Sequence, residues 1–194
     1  MCRKTTTGCY GVIAVVCDNI IDQNFKLVSN TTSNNSEIKG LRAAVSMANK
    51  WKDCFRFINI FSDSQISVFG LRDYIYNWRY NPNDGLLYGS ANKPIVNQEI
   101  FIETHYILTE LMQITNSSVR LFHQSGHIEN GYDKLIYACK TFKKSNKING
   151  KVDINFIRYI STYNNYVDNK SRQTLRNSNR SLNYIDPISF SYKI

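Results

Sequence analysis

Gly11-Val-Ile-Ala-Val-Val-Cys17 is a short, unbroken apolar run rich in β-branched residues, and the turn pair Asp18-Asn19 bounds it. A run of that length and type is a buried strand. The changes of period that follow constrain the fold further. Residues 20–28 mix polar and apolar positions as a returning hairpin strand would, and 29–36 are a polar Ser/Thr/Asn loop. Ile38, Leu41, Ala44, Val45, Ala48 and Trp51 then recur at helical spacing, with Glu37 opening the run and Asn35 or Ser36 positioned to cap it. Residues 55–61 predict a second buried strand, ending at Ser62-Asp63. Residues 65–80 return to helical periodicity and stop at the turn cluster Asn81-Pro82-Asn83-Asp84-Gly85. After the break at Lys93-Pro94-Ile95-Val96-Asn97 the pattern predicts a helix over 98–115, a strand over 118–124 and an amphipathic helix over 131–145. One or two more helices cover 153–176. Hairpin, helix, strand, helix, helix, strand, helix is the order of an α/β sheet with helices on its faces.

A length of 194 residues, 42% of them hydrophobic and 13% aromatic, supports one packed domain and excludes global disorder. The formal charge of +9 favours polyanionic partners, because phosphate contacts gain affinity by releasing counterions. A solvated basic surface, or drift toward Lys and Asn in an AT-rich genome, accounts for the same excess. Cys2, Cys9, Cys17, Cys54 and Cys139 are odd in number, scattered and free of Cys-x-x-Cys pairs, so neither a zinc knuckle nor a disulfide framework is expected. A reducing cytoplasm fits them, bacterial or phage-infected, and no run is apolar enough to cross a membrane.

Three acids fall at element boundaries: Glu37 at a helix start, Asp63 at a strand end and Asp168 in a late helix. Cleaving a phosphodiester with water requires an activated nucleophile and a stabilised leaving oxygen, which two divalent ions roughly 3.5–4 Å apart can provide. Carboxylates about 4 Å apart repel by roughly 4 kcal/mol at an effective dielectric of 20. A set of them therefore wants a cation between, and Mg²⁺ is the natural hard-oxygen choice. Each acid also has a plain reading: Glu37 as a partner of the helix dipole, Asp63 as a cap and Asp168 as a solvated side chain.

The words around these acids carry a resemblance. Ser62-Asp63-Ser64-Gln65 with Val68 and Gly70-Leu71 is similar to the second acid motif of type 1 ribonuclease H. Asn34-Asn35 before Glu37, then Leu41 and Ala43-Ala44, resembles that family's asparagine turn and glutamate helix. Asn77-Trp78 with Lys93-Pro94-Ile95-Val96-Asn97 ahead of Phe101, Gly126-His127, and Asn164 with Asp168 resemble its remaining motifs in order. The resemblance covers about residues 8–128 and 163–176. It implies a five-stranded mixed sheet flanked by helices, and hydrolysis of the RNA strand of RNA–DNA hybrids with two Mg²⁺ ions, Mn²⁺ substituting. By position it makes Glu37, Asp63 and Asp168 the metal ligands and His127 a proton shuttle or product-release group. It places Asn34 and Asn35 at the ribose 2′-hydroxyls. Arg72, Arg79, Lys93, Tyr80 and Tyr88 are candidates to hold the DNA strand, and Trp78 is read as core. A monomer is expected.

Two departures qualify this. Residues 129–162 insert a basic helical segment carrying Lys134, Lys140, Lys143, Lys144, Lys147 and Lys151 within a domain drawn over 1–176, with a tail at 177–194. The family's first strand also carries an acid that bridges both metals, whereas here Gly8-Cys9-Tyr10-Gly11 already matches the second strand and no carboxylate precedes Asp18. Three readings stand open. The true start lies upstream; or the chain is a relic that binds hybrid or structured nucleic acid without cutting; or Tyr184-Ile185-Asp186-Pro187 folds back as a replacement strand.

Overall fold

A computed structural model describes residues 6–114, 118–126, 128 and 131–182. His127 and the 183–194 segment, which holds the expected replacement strand, lie outside the described residues. The first apolar run forms β1 (Thr6–Val16) and returns as β2 (Asn19–Thr31) in an antiparallel hairpin. Cys17 and Asp18 turn the corner with φ of 46° and 65°. Positive φ at both central residues matches the right-handed twist of the flanking strands. Asn19 Nδ2 donates to Cys17 O at 2.9 Å and holds the turn.

The polar loop expected at 29–36 is mostly strand and helix. Strand β2 continues to Thr31, and Thr32 rather than Asn35 or Ser36 caps α1 (Ser33–Trp51), its side chain accepting from Asn35 N. Ile38, Leu41, Val45 and Ala48 of α1 are buried on one face, as their spacing requires. Strand β3 (Phe57–Ser62) follows, then α2 (Gln65–Phe69). The single helix expected over 65–80 breaks up at this point. A π turn occupies Gly70–Tyr74 and a 3₁₀ turn Ile75–Asn77, before a small hairpin of β4 (Arg79–Asn81) and β5 (Leu86–Tyr88). Close packing explains the break, since a Cβ on Gly70 would stand 2.4 Å from the Phe101 ring. Trp78 packs edge-on against that same ring, as core.

Helix α3 (Gln98–Ile114) and strand β6 (Ser118–His123) come next, followed by α4 (Tyr132–Ser145) and α5 (Ile154–Leu182). The 29-residue α5 runs through both boundaries drawn from sequence, at 162 and at 176, so its first turns belong to the inserted region and its last to the expected tail. Strand β6 pairs with β3 in parallel. Side-chain alternation on this pair builds two cores. Ile60 and Leu121 face α1 and α3, while Phe61 and Phe122 stack on each other (5.4 Å) and on Phe142 of α4 (6.4 and 5.8 Å).

The expected five-stranded sheet is not continuous among the described residues. β1–β2 and β3–β6 are separate two-stranded sheets.

Candidate functional site

The inner edges of these two sheets line opposite walls of one cavity of about 800 Å³, with α1 and α5 covering its faces. Glu37, Asp63 and Asp168 all line it, from α1, from the end of β3 and from α5. The acids therefore share a site, but they do not converge as expected. Among the described residues no group of three His, Cys, Asp or Glu side chains stands ready to hold one ion. Crowded carboxylates repel, and each of the three has its own local partner. Glu37 Oε1 accepts from Ser33 Oγ (2.9 Å) and its Oε2 from Ser64 Oγ (2.7 Å). Asp63 Oδ2 accepts from Asn164 Nδ2 at 3.2 Å. Asp168 pairs with Arg172 one turn along α5, at 2.8 Å.

Ser64 joins two of these positions. It caps α2 by accepting from Ser67 N, and its hydroxyl reaches across to Glu37. The loop after β6 closes on the other side of Asp63: a Cβ on Gly126 would sit 2.9 Å from Asp63 Oδ2, so only glycine allows that approach. Gln124, 3% exposed, lines the same cavity and leaves its Oε1 without a hydrogen-bond partner.

The side chains expected to bind substrate are placed unevenly. Asn34 is half-buried on the first turn of α1. Asn35 donates to Asn97 Oδ1 (2.9 Å) and accepts from Thr31 Oγ1 (3.0 Å), tying α1 to the residues before α3. Arg79 and Lys93 are exposed on and beside the β4–β5 hairpin, and Tyr80 is 66% exposed there. Arg72 is the clear correction. Its guanidinium donates to Ser145 O, Asn146 Oδ1, Leu121 O and Asp73 and lies over the Phe69 ring, so it braces the interior and does not face substrate.

That brace was invisible in the sequence. Asn146, just past α4, donates to His123 O (2.7 Å) and accepts from His123 N (2.9 Å), behaving as an extra strand residue beside β6. No local signal announces it, because its partners lie 23 and 74 residues away. The insertion is thereby fastened to the strand that leads into Gln124 and Gly126, while Lys134, Lys140, Lys143, Lys144, Lys147 and Lys151 all remain exposed. Buried His123 packs on Phe69, and its pKa is lowered by burial first and by nearby Arg72, against the opposing pull of Asp63.

No described helix is long and apolar enough to cross a membrane, and Cys9, Cys17, Cys54 and Cys139 are free thiols. No curated protein matches the chain. The family model for RNase H matches residues 1–136, a stretch that holds Glu37 and Asp63 and ends before Asn164 and Asp168.

Proposed function

This chain belongs to the ribonuclease H family, and from that premise we propose that it hydrolyses the RNA strand of RNA–DNA hybrids using divalent cations, Mg²⁺ first and Mn²⁺ in substitution. The observation that carries the reading is the cavity wall shared by Glu37, Asp63 and Asp168. Its donors are carboxylate oxygens, and Mg²⁺ keeps several waters, needing only one or two protein carboxylates. Glu37 and Asp63, linked through Ser64, suit such an ion, with Asp168 the further ligand. When bound, the ions activate water and stabilise the departing oxygen.

The chain's own groups orient these ligands. Ser33 and Ser64 fix the two oxygens of Glu37, and the Asn164 amide aims Asp63. His127 moves protons or helps product leave, a role suited to an imidazole near its ordinary pKa of about 6.5. Asn34 and Asn35 meet the 2′-hydroxyls of the RNA strand in its shallow minor groove, which discriminates RNA without reading sequence. Arg79 and Lys93 hold the DNA strand by its phosphates. The protein works as a monomer in the cytoplasm of a bacterial or phage-infected cell.

A labelled RNA–DNA hybrid tests this. The chain should cut only the RNA strand, and only with divalent ion present. Asp63→Asn should lose more than the roughly 10–100-fold typical of outer-shell partners while its circular dichroism stays unchanged. Equal cutting by Asp63→Asn would remove Asp63 from the site. One observation favours a second reading, binding without cutting: the two sheets are unjoined, and no carboxylate precedes Asp18. That reading expects EDTA-indifferent, steeply salt-dependent hybrid binding and no product at any Mg²⁺ concentration.

A further inference from the structure

Strands β1 and β3 each have one partner and one open edge. Among the described residues β1 has only β2 as a strand partner and β3 only β6. Residues 9–16 of β1 and 57–62 of β3 face each other across the 800 Å³ cavity. Backbone donors and acceptors turned into such a space are costly unless paired, and open edges accept a further strand. The buried, unpartnered Oε1 of Gln124 belongs to the same cavity.

The two edges run in opposite senses. Gly8 lies against Ser36 and Tyr10 against Gly40, so β1 climbs in step with α1, whereas β3 ends where Ser64 meets Glu37. A strand entering in either direction makes one parallel and one antiparallel ladder. Its two faces would meet different walls. Leu41, Ala44 and Ala48 of α1 make one wall apolar, and Asn164, Asp168 and Ser171 of α5 make the other polar.

We infer that this slot is the docking site of the chain's own C-terminal segment, with residues 188–194 inserted as a strand between β1 and β3. Ile188, Phe190, Tyr192 and Ile194 alternate with Ser189, Ser191 and Lys193, an apolar face for α1 and a polar face for α5. Seven residues at about 3.3 Å each span about 23 Å, which matches six-residue β3 with little overhang. The tether closes as well. Ser171 packs against Gly11, and the eleven residues from there to Leu182 carry α5 about 16 Å past that point. Residues 183–187 reach back about 17 Å when extended. Pro187 falls just before the strand and not within it, where its missing N–H would interrupt a ladder. The inserted strand thus begins after the Tyr184–Pro187 element that the sequence suggested. Asp186 then arrives at the end of the slot that holds Glu37 and Asp63. The docking stands apart from the nuclease reading; only a ligand role for Asp186 rests on it.

Amide hydrogen exchange and a cross-link test the docking without using activity. In the full chain, residues 9–16 and 57–62 should exchange at least ten-fold more slowly than in Phe190→Asp or in a chain ending at Leu182. A synthetic peptide of residues 183–194 should restore protection to the shortened chain. Equal exchange in all three overturns the proposal. Should the shortened chain fail to fold, Ile188→Cys in the full chain still decides. Dilute oxidation should join the new thiol to Cys9 within one molecule, as mapped by proteolysis. Cross-links only between molecules would assign the slot to a second copy, and no cross-link to Cys9 would leave the tail elsewhere; either result overturns the inference. Hybrid cleavage is read separately, so failure of one claim leaves the other standing.

Discussion

The β3–β6 pair is covered on both faces, whereas the β1–β2 hairpin is covered chiefly on one. Core residues of α1 and α3 pack one side of β3–β6 and the α4–α5 cluster packs the other, and its register runs without a shift from Phe57↔Ser118 to Ser62↔His123. The hairpin has two register irregularities, and most of β2 is exposed. Asp63 grows from the braced pair, Glu37 from the helix that spans both, and the cavity lies along the seam between them. A parallel pair buried on both faces needs such cover. A hairpin closed by a tight turn holds its own register with less. The difference teaches that the positions of the acids depend on how firmly the two halves are joined, and that the insertion strengthens only one of them.

The contrast breaks most sharply at the aromatic stack. Phe142→Ala should cost about 3–5 kcal/mol, because it opens a cavity among Phe61, Phe122 and Phe156. Phe25→Ala, on the half-exposed hairpin over Gly11, should cost only about 1 kcal/mol. Urea unfolding of both variants measures the gap, and equal losses would erase the distinction between the halves. Asn146→Ala comes next, at about 2 kcal/mol, since it strands the main-chain groups of His123 and one donor of Arg72. Hydrogen exchange should then quicken along β6 and leave the hairpin unchanged. Ser64→Ala should cost about 1 kcal/mol as a lost cap. Its sharper effect falls on Glu37, where freeing Oε2 should raise the Mg²⁺ needed for half-maximal cleavage by roughly 10–100-fold.

The contrast also explains what the sequence could and could not reveal. Local pattern sufficed for β1, α1, β3, α3, β6 and α4, because each is a long run with one clear period. It failed at 70–81, where apolar residues keep helical spacing but Phe101, distant in sequence, presses on Gly70 and the chain unwinds into π and 3₁₀ turns. Asp63 and Glu37 were legible as candidates through the words around them, and the cavity they share agrees with that choice. Arg72 misled, because a basic residue in a polar context looks the same whether it faces phosphate or the carbonyls of Leu121 and Ser145. Asn146 gave no sign at all, since a single amide gains its role only when the fold brings β6 beside it.

The smallest effect tests the braced half by pH. Burial holds the pKa of His123 below its ordinary value, with Arg72 acting in the same direction and Asp63 against it. As pH falls below about 6.5 the unfolded chain takes up a proton at this position before the folded chain does. The unfolded state then binds more protons, so this contribution to stability is complete above about pH 6.5 and is lost as pH falls toward the lower, folded pKa. Two carboxylates act in a separate window. Asp22 is held below its ordinary range chiefly by its hydrogen bond from Lys50. In Asp73 burial is outweighed by Arg72 and Lys147. Both lose their stabilisation only below about pH 4. The urea midpoint should therefore decline modestly between pH 7 and 5. His123→Phe keeps the ring contact with Phe69, removes the buried and unpartnered Nδ1, and should flatten that decline without lowering stability at pH 7. An unchanged slope in His123→Phe would place the titrating group outside β6, and with it the claim that this half of the molecule is the drier one.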